Sequence, residues 1–265
     1  MDFTGKVALI TGGGGGIGRA AGLAFALRGA QVVVVDLDAD LGRQTVAEIT
    51  AQGGAAQLLQ ADVTKAADVQ AYVGACLSAH GRIDAFFNNA GYIGALRSLV
   101  DYDEEDFDRV MAINVKGVFL GLKYVLPVMH RQRSGAVVNT ASTASIFGPA
   151  GQTAYAASKH AVAGLTKVAS TESAPFGVRV NAVLPGPVET RMMREVEIGR
   201  APDNPESVRQ RTRATIPQGR YAEPAEVAGA VVFLCSDLAS GTTGSQLVID
   251  GGRVASGGGV FTPAK

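Results

Sequence analysis

Short apolar runs recur along the chain, separated by longer Ala-rich stretches in which apolar residues repeat with a helical period. The short continuous runs predict buried strands, and the longer stretches predict amphipathic helices. The predicted strands are 7–10, 32–35, 57–63, 85–88, 136–140, 178–184 and 246–249. The predicted helices are 18–28, 41–52, 69–80, 107–131, 155–173 and 225–236.

This alternation predicts the architecture. Continuous apolar runs are typical of strands buried on both faces, and helices of this length serve as right-handed crossovers between parallel strands. We expect an α/β protein with a Rossmann fold, a doubly wound parallel sheet of seven strands with helices on both faces. No break in composition divides residues 1–253, which are predicted to form one domain, and residues 254–265 are predicted as a C-terminal tail. Prolines and charges interrupt the alternation at 188–217, where a substrate-covering segment is expected.

Composition narrows the classes of partner. Lysine plus arginine equals aspartate plus glutamate at 24 each, so net charge favours neither nucleic acid nor an anionic membrane surface. The apolar runs are far shorter than the roughly 20 residues needed to span a bilayer, and the first residues lead directly into a strand pattern. We therefore expect a cytoplasmic protein that binds a small molecule. Cys76 and Cys235 have no metal-ligand spacing and the three histidines are scattered, so buried thiols and no metal site are expected.

A glycine-rich turn follows the first predicted strand and opens the first helix. Gly12 to Gly16 are consecutive glycines, so a pattern match alone is uninformative and a flexible turn remains the simple alternative. The placement indicates more, because backbone N–H groups at a helix N-terminus attract pyrophosphate. Asp36 ends the second strand 24 residues after Gly12, where a carboxylate accepts hydrogen bonds from ribose hydroxyls and repels the 2′-phosphate of NADP. Leu37 adds no cation there, so NAD is the predicted cofactor. Arg19 and Arg43 are the nearby cations that would instead favour NADP if they reached its 2′-phosphate.

Tyr155 and Lys159 stand four residues apart in a helical segment and so share one face. A nearby ammonium favours phenolate, which would let Tyr155 act as acid and base near neutral pH. Taken alone, the pair also fits a half-buried tyrosine beside a lysine that extends to solvent. Ser142 lies 13 residues before Tyr155, just after the fifth strand, where it could hold a substrate oxygen or cap a turn.

The ordered motifs resemble those of the short-chain dehydrogenase/reductase family over nearly the whole chain. They are Thr11-Gly12-x-x-x-Gly16-x-Gly18, Asn89-Ala90-Gly91, Asn114, Ser142, Tyr155-x-x-x-Lys159 and Pro185-Gly186. The segments 86–91, 117–122 and 138–142 look especially like bacterial cyclic-alcohol dehydrogenases of this family. The resemblance implies an NAD-dependent enzyme that interconverts a secondary alcohol and a ketone. It also implies a homotetramer in which segments 107–131 and 155–173 pack against symmetry mates, with 244–253 near a second interface.

The resemblance assigns roles residue by residue. Tyr155 would be the acid and base, Ser142 would orient the substrate oxygen, and Lys159 would bind the nicotinamide ribose and lower the pKa of Tyr155. Asn114 would bend its helix and hold a water that leads protons to solvent. The cofactor-binding set is Gly12, Gly15, Gly16, Ile17, Asp36, Leu37, Asp62, Val63, Asn89, Ala90, Gly91, Tyr155, Lys159, Pro185, Gly186, Val188 and Thr190.

Positions beside these motifs are candidates for contact with substrate, and they equally suit core packing. They are Ile93, Ala144, Gln152, Pro187, Met192 and Met193, with Gly94, Thr143 and Phe147 as further candidates. Most are apolar or small, which favours a compact hydrophobic or cyclic substrate. Two alternatives remain: a 3-oxoacyl carrier-protein reductase, which Asp36 disfavours because that activity usually implies NADP, and a non-catalytic dinucleotide sensor, which the intact Ser142, Tyr155 and Lys159 set disfavours.

Overall fold

Seven parallel strands form one sheet in the computed structural model, which describes residues 1–258. The strands are β1 Val7–Thr11, β2 Gln31–Asp36, β3 Ala55–Gln60, β4 Ala85–Asn88, β5 Gly135–Thr140, β6 Val178–Pro185 and β7 Gln246–Ile249. The order across the sheet is β3-β2-β1-β4-β5-β6-β7, so the direction of winding reverses between β1 and β4. The predicted bounds of β4 and β7 are confirmed. The prediction for the third strand was wrong at both ends, because the pairing with β2 begins at Ala55 and ends at Gln60.

Helices cover both faces of the sheet. The helices are α1 Gly16–Ala26, α2 Ala39–Ala51, α3 Ala66–His80, α4 Glu104–Met111, α5 Gly117–Gln132, α6 Thr153–Ser173, α7 Arg191–Arg200, α8 Pro205–Arg213 and α9 Pro224–Cys235. One apolar core packs α1, α2 and α9 against residues of β2 such as Val32 and Val34. The other packs α3, α5 and α6 against Val33 and Val35, which alternate with them along β2 and point to the opposite face. The predicted fold class is confirmed.

A single turn of π-helix, Ala112–Lys116, joins α4 to α5 and makes them continuous. The joined helix, Glu104–Gln132, is long and apolar enough to cross a membrane by length and composition, although such a helix is weak evidence for a membrane span. Its apolar side faces the protein core, where Leu120, Val125 and Met129 are buried against the sheet. This is the packing expected of a core helix in a globular protein.

The segment 188–217 contains two helices that the apolar pattern did not predict. Both are rich in charged residues, so they lack the apolar periodicity on which the prediction rested. Their signals are caps. Thr190 accepts a hydrogen bond from the Met193 N–H at the start of α7, and Asn204 accepts one from the Ser207 N–H before Pro205 begins α8.

The chain after β7 folds back in hydrogen-bonded turns. Asp250 accepts hydrogen bonds from the N–H groups of Gly252, at 2.9 Å, and Val254, at 2.7 Å. Residues 254–258 of the predicted tail lie in these turns, and residues 259–265 lie outside the described residues. The division into one domain and a tail stays a prediction. Cys76 and Cys235 are buried, as predicted, and burial raises the pKa of each thiol to about 12.

Candidate functional site

A cavity of about 1260 Å³ lies at the carboxyl ends of the strands. Its walls come from the end of β2 and from the residues that follow β3, β4, β5 and β6. It therefore lies beside the point between β1 and β4 where the winding reverses, which is where open α/β sheets bind ligands. The segment 188–217 contributes a further wall through α7.

The glycine-rich turn closes tightly at one end of the cavity. A Cβ at Gly18 would lie 2.0 Å from the Gly12 carbonyl oxygen, so no other residue fits there without displacing the turn. Gly12 itself has φ +63° and lies against the backbone of Ala90. Gly15 is the N-cap of α1 and has no side chain, so no cap accepts hydrogen bonds from the first N–H groups of the helix. These N–H groups lie at the cavity wall, where they can bind an anion such as pyrophosphate.

Asp36 is fixed at the edge of the same cavity. Its Oδ2 accepts a hydrogen bond from the Gly14 N–H at 2.8 Å, and its Oδ1 accepts one from the Asp38 N–H at 3.0 Å. The carboxylate is therefore held by the glycine-rich turn that would carry the phosphates. Arg19 pairs with Glu48 at 2.5 Å, and Arg43 pairs with Asp40. Neither arginine lines the cavity.

Hydrogen bonds brace the turn after β4 against its neighbouring strands. Thr11 Oγ1 accepts hydrogen bonds from the N–H groups of Asn89, at 2.9 Å, and Ala90, at 3.1 Å. The Asn89 side chain donates to the carbonyl oxygen of Gly12 and accepts from Thr140 Oγ1. One asparagine thus connects the glycine-rich turn to the end of β5.

The structure brings Ser142, Tyr155 and Lys159 to one place in the cavity wall. Lys159 is buried on α6, and its Nζ donates a hydrogen bond to the Thr140 carbonyl oxygen at 2.8 Å. That Nζ lies 5.4 Å from the centre of the Tyr155 ring. Ser142 Oγ accepts a hydrogen bond from the Ala144 N–H at 3.1 Å, which fixes its side chain at the end of β5.

Burial dominates the acid–base properties of this group. Burial raises the pKa of the Tyr155 phenol, and its hydrogen bond with Ser142 lowers that pKa by a smaller amount. Burial also lowers the pKa of Lys159 from 10.5 to about 8. In the chain by itself, Tyr155 is therefore a neutral phenol that can donate a proton, and a positive charge bound beside it would favour the phenolate.

Asn114 lies in the π-helical turn, behind the cavity wall. Its Nδ2 donates hydrogen bonds to the Tyr92 carbonyl oxygen at 2.8 Å and to Ser158 Oγ at 3.0 Å, and its Oδ1 accepts from the Tyr92 N–H at 2.8 Å. It ties the loop after β4 to α6 next to Lys159. Asn114 lies in the π turn between α4 and α5, at the position where the resemblance implies a bend of the helix.

Apart from Asn114, every residue of the predicted sets lines the cavity. The cofactor set contributes Gly12, Gly15, Gly16, Ile17, Asp36, Leu37, Asp62, Val63, Asn89, Ala90, Gly91, Tyr155, Lys159, Pro185, Gly186, Val188 and Thr190. The substrate set contributes Ile93, Ala144, Gln152, Pro187, Met192 and Met193, together with Thr143 and Phe147. Of the further candidates, Gly94 does not line it, because a Cβ at Gly94 would meet Tyr102, Val110 and Asp106 instead.

The sequence did not identify several polar residues of the cavity wall, among them Tyr92, Arg109, Arg200 and Arg253. Tyr92 directly follows Asn89-Ala90-Gly91, so its position after β4 was a usable signal. The three arginines belong to no motif, and they reach the cavity only because α4, α7 and the chain after β7 return to it in the folded protein.

Comparisons with known proteins agree with this geometry. A family model described as enoyl-(acyl carrier protein) reductase matches residues 13–253. Levodione reductase from Leifsonia aquatica is 42% identical over 255 residues, 96% of each chain, and a crystal structure of levodione reductase has a TM-score of 0.94 at 41% identity, covering 96% of this chain and 99% of that one. Cyclopentanol dehydrogenase from Comamonas testosteroni is 42% identical over 250 residues, 94% of this chain and 97% of that protein. The structure of NAD⁺-bound xylitol dehydrogenase has a TM-score of 0.92 at 37% identity, covering 95% of this chain and 100% of that one.

Proposed function

Because this chain belongs to the short-chain dehydrogenase/reductase family, we propose that it uses NAD(H) to interconvert a compact, cyclic secondary alcohol and its ketone. The sequence-based assignment to the family and the likeness to cyclic-alcohol dehydrogenases are confirmed. The chain is an oxidoreductase that acts on a secondary alcohol or ketone. The observation that carries the finer proposal is the meeting of Ser142, Tyr155 and Lys159 in one cavity with the Asp36 carboxylate.

The chain's own residues would align the substrate and move the proton. NAD(H), when bound, would accept or donate the hydride, and its oxidised nicotinamide ring would add a positive charge to the site. In reduction the Tyr155 hydroxyl would donate its proton to the ketone oxygen, and in oxidation the phenolate would take it back. Ser142, held by the Ala144 N–H, would donate a hydrogen bond to the same substrate oxygen. Lys159 would stabilise the phenolate and bind the ribose.

Three observations support NAD over NADP. Asp36 lines the cavity, and two backbone N–H groups hold its carboxylate in place. A 2′-phosphate beside it would meet a like charge. The two arginines that could have offset this charge, Arg19 and Arg43, are paired with Glu48 and Asp40.

The lining beside Ser142 supports a compact hydrophobic substrate. Ala144, Pro187, Met192 and Met193 line the cavity together with Ile93, and Gln152 adds one amide. Apolar walls with few polar groups bind a small ring through its carbon surface, while the polar groups fix the position of its oxygen. The names of the relatives, which include a cyclopentanol dehydrogenase and levodione reductase, point to the same class.

We also propose that the enzyme is a cytoplasmic homotetramer. Exposed apolar side chains support the tetramer: Phe119 on α5 is 45% exposed and Val168 on α6 is 56% exposed, on the two helices expected to pack against symmetry mates. β7 lies at the sheet edge, and its Val248 is 36% exposed. Sedimentation of the purified protein should give a species of about four chains. A monomer would contradict the proposal.

The activity is tested by following reduced-nicotinamide formation from NAD and, separately, from NADP. The alcohols should include cyclopentanol, cyclohexanol, linear secondary alcohols of the same carbon number and the hydroxyacyl thioester of a carrier protein. We expect turnover with NAD and a cyclic alcohol. Preference for NADP and the thioester would instead support a carrier-protein reductase, and binding of NADH without turnover of any alcohol would support the sensor.

A further inference from the structure

Four arginines line the cavity, and three of them have no ionic partner among residues 1–258. Arg191 forms an ion pair with Glu195 at 3.4 Å. Arg109 stacks over the Tyr92 ring at 4.7 Å. No carboxylate of the described chain pairs with Arg200 or Arg253.

Arg253 has a defined position beside the loop that follows β5 and contains Ser142. Its Nε donates a hydrogen bond to Thr215 Oγ1 at 3.0 Å, and its guanidinium carbon lies 5.5 Å from the centre of the Phe147 ring. Phe147 lies five residues after Ser142 on the same loop. The nearby Asp250 carboxylate accepts hydrogen bonds from two backbone N–H groups and makes no ion pair with Arg253. The four N–H donors at the end of the guanidinium therefore have no acceptor among residues 1–258 and are available to a ligand.

The surroundings of Arg253 favour an anion. The side chain is half-buried, and burial and the charge of Arg200 lower its pKa by more than the nearby Asp250 carboxylate raises it. Each effect means that the cation is destabilised where it stands, and an anion bound beside it would offset both. A guanidinium fork also matches the two oxygens of a carboxylate, which it binds through two parallel hydrogen bonds.

We infer that the substrate carries a carboxylate on the side of its ring away from the reacting oxygen, and that Arg253 binds this carboxylate. Arg200, exposed at the C-terminal end of α7, adds a second positive charge on the same side. The inference rests on the proposed function, since it names the substrate class of that site as cyclic hydroxy acids and keto acids. Phe147 and the apolar lining would contact the ring, while Ser142 and Tyr155 would hold the oxygen that reacts.

Binding tests the anion site without turnover. The affinities of cyclohexanecarboxylate and the uncharged cyclohexanecarboxamide are measured on the NADH-loaded enzyme by thermal shift and by the change in fluorescence of the bound NADH. We expect the carboxylate to bind about 10- to 100-fold more tightly than the amide. Arg253→Met should bring this ratio close to one, and Arg253→Lys should retain part of it. Arg211→Met, which removes an exposed arginine of α8 outside the cavity, is the matched control and should leave the ratio unchanged.

Equal binding of the carboxylate and the amide, or a ratio that survives Arg253→Met in a folded protein, would overturn the inference. Turnover then separates the two proposals. A hydroxycyclohexane carboxylate should be oxidised with a higher kcat/KM than the matching methylcyclohexanol, and Arg253→Met should lower only the first value. If neutral cyclic alcohols react and the carboxylate gains nothing, the inference fails and the proposed function stands. If the carboxylate binds through Arg253 and no alcohol reacts, the proposed function fails and the anion site stands.

Discussion

Replacing Asp36 with asparagine should shift the cofactor preference from NAD toward NADP. The side chain keeps its shape and loses its charge, and its oxygen can still accept the hydrogen bond that the Gly14 N–H now donates at 2.8 Å. The substitution therefore changes the charge at the edge of the cavity while leaving the glycine-rich turn in place.

The magnitude follows from two effects. Two like charges about 4 Å apart repel by about 1 kcal/mol in water and about 4 kcal/mol at an effective dielectric constant of 20, which is about 5- to 1000-fold in affinity. The neutral amide of the Asp36→Asn variant would relieve this repulsion of the 2′-phosphate. It would also weaken the hydrogen bonds to the ribose hydroxyls of NAD, since a charged acceptor contributes about 1.5–3 kcal/mol. Together these changes predict that the ratio of kcat/KM for NAD to that for NADP falls by about 100-fold.

The assay measures kcat/KM for both cofactors with one alcohol, at low and at high salt. Asp108→Asn is the matched control, because it removes the same charge from the exposed side of α4, outside the cavity, and should change the ratio far less. Part of the preference should weaken at high salt, where the repulsion is screened. A wild-type enzyme that prefers NADP, or an Asp36→Asn variant with an unchanged ratio, would refute this electrostatic explanation.

Three further substitutions test the structure. Because burial lowers the pKa of Lys159 from 10.5 to about 8, its buried ammonium destabilises the fold below pH 8. Lys159→Met should therefore abolish turnover but raise the free energy of unfolding by up to about 3 kcal/mol at pH 7 without added cofactor. This gain in stability should shrink between pH 8 and 10.5, where the lysine of the folded wild type loses its proton. Glu197 is buried on α7 and pairs with Arg209 of α8 at 3.5 Å, so Glu197→Gln should lower the free energy of unfolding in urea by about 1–3 kcal/mol. Because α7 lines the cavity, the same substitution should raise KM for the alcohol. Gly18→Ala should abolish NADH binding in a fluorescence titration, because its Cβ would lie 2.0 Å from a backbone oxygen of the same turn, whereas Gly74→Ala, which meets open space on α3, should leave binding intact and stabilise the protein by about 1 kcal/mol.

Each of these expectations has a contrary outcome. A Lys159→Met variant less stable than the wild type at pH 7 would mean that the hydrogen bond to the Thr140 carbonyl oxygen outweighs the cost of burying the charge. An unchanged KM in Glu197→Gln would mean that the ion pairs of α7 do not affect substrate binding. Normal NADH affinity in Gly18→Ala would show that the turn can open without losing its ligand.

The fold was predictable where burial on both faces leaves a continuous apolar run. The run 7–10 lies within β1, and the predicted bounds of β4 are those observed, because strands at the centre of the sheet contact helices on both sides. The prediction failed where other forces decide. α7 and α8 are held by caps and ion pairs such as Arg194 with Glu197 at 3.0 Å, which apolar periodicity does not register.

The candidate site was predictable where local motifs follow the strands. Ser142 and Tyr155 meet in the cavity because the carboxyl end of β5 and the start of α6 lie at one edge of the sheet. Arg253 carries no such signal, since only the return of the chain after β7 brings it beside Phe147. The raised pKa of Tyr155 also depends on burial by residues distant in sequence, which spacing cannot show.

Proton transfer by the Tyr155 hydroxyl in an NAD-linked oxidation of a secondary alcohol is central to the proposed mechanism. The most direct test compares Tyr155→Phe with the wild type in kcat for the best alcohol and in NADH affinity, with Tyr124→Phe, outside the cavity on α5, as the matched control. We expect kcat to fall by about 10²- to 10⁴-fold in Tyr155→Phe while NADH affinity stays close to that of the wild type and the control remains fully active. A Tyr155→Phe enzyme that binds NADH and keeps a kcat near that of the wild type would contradict the mechanism.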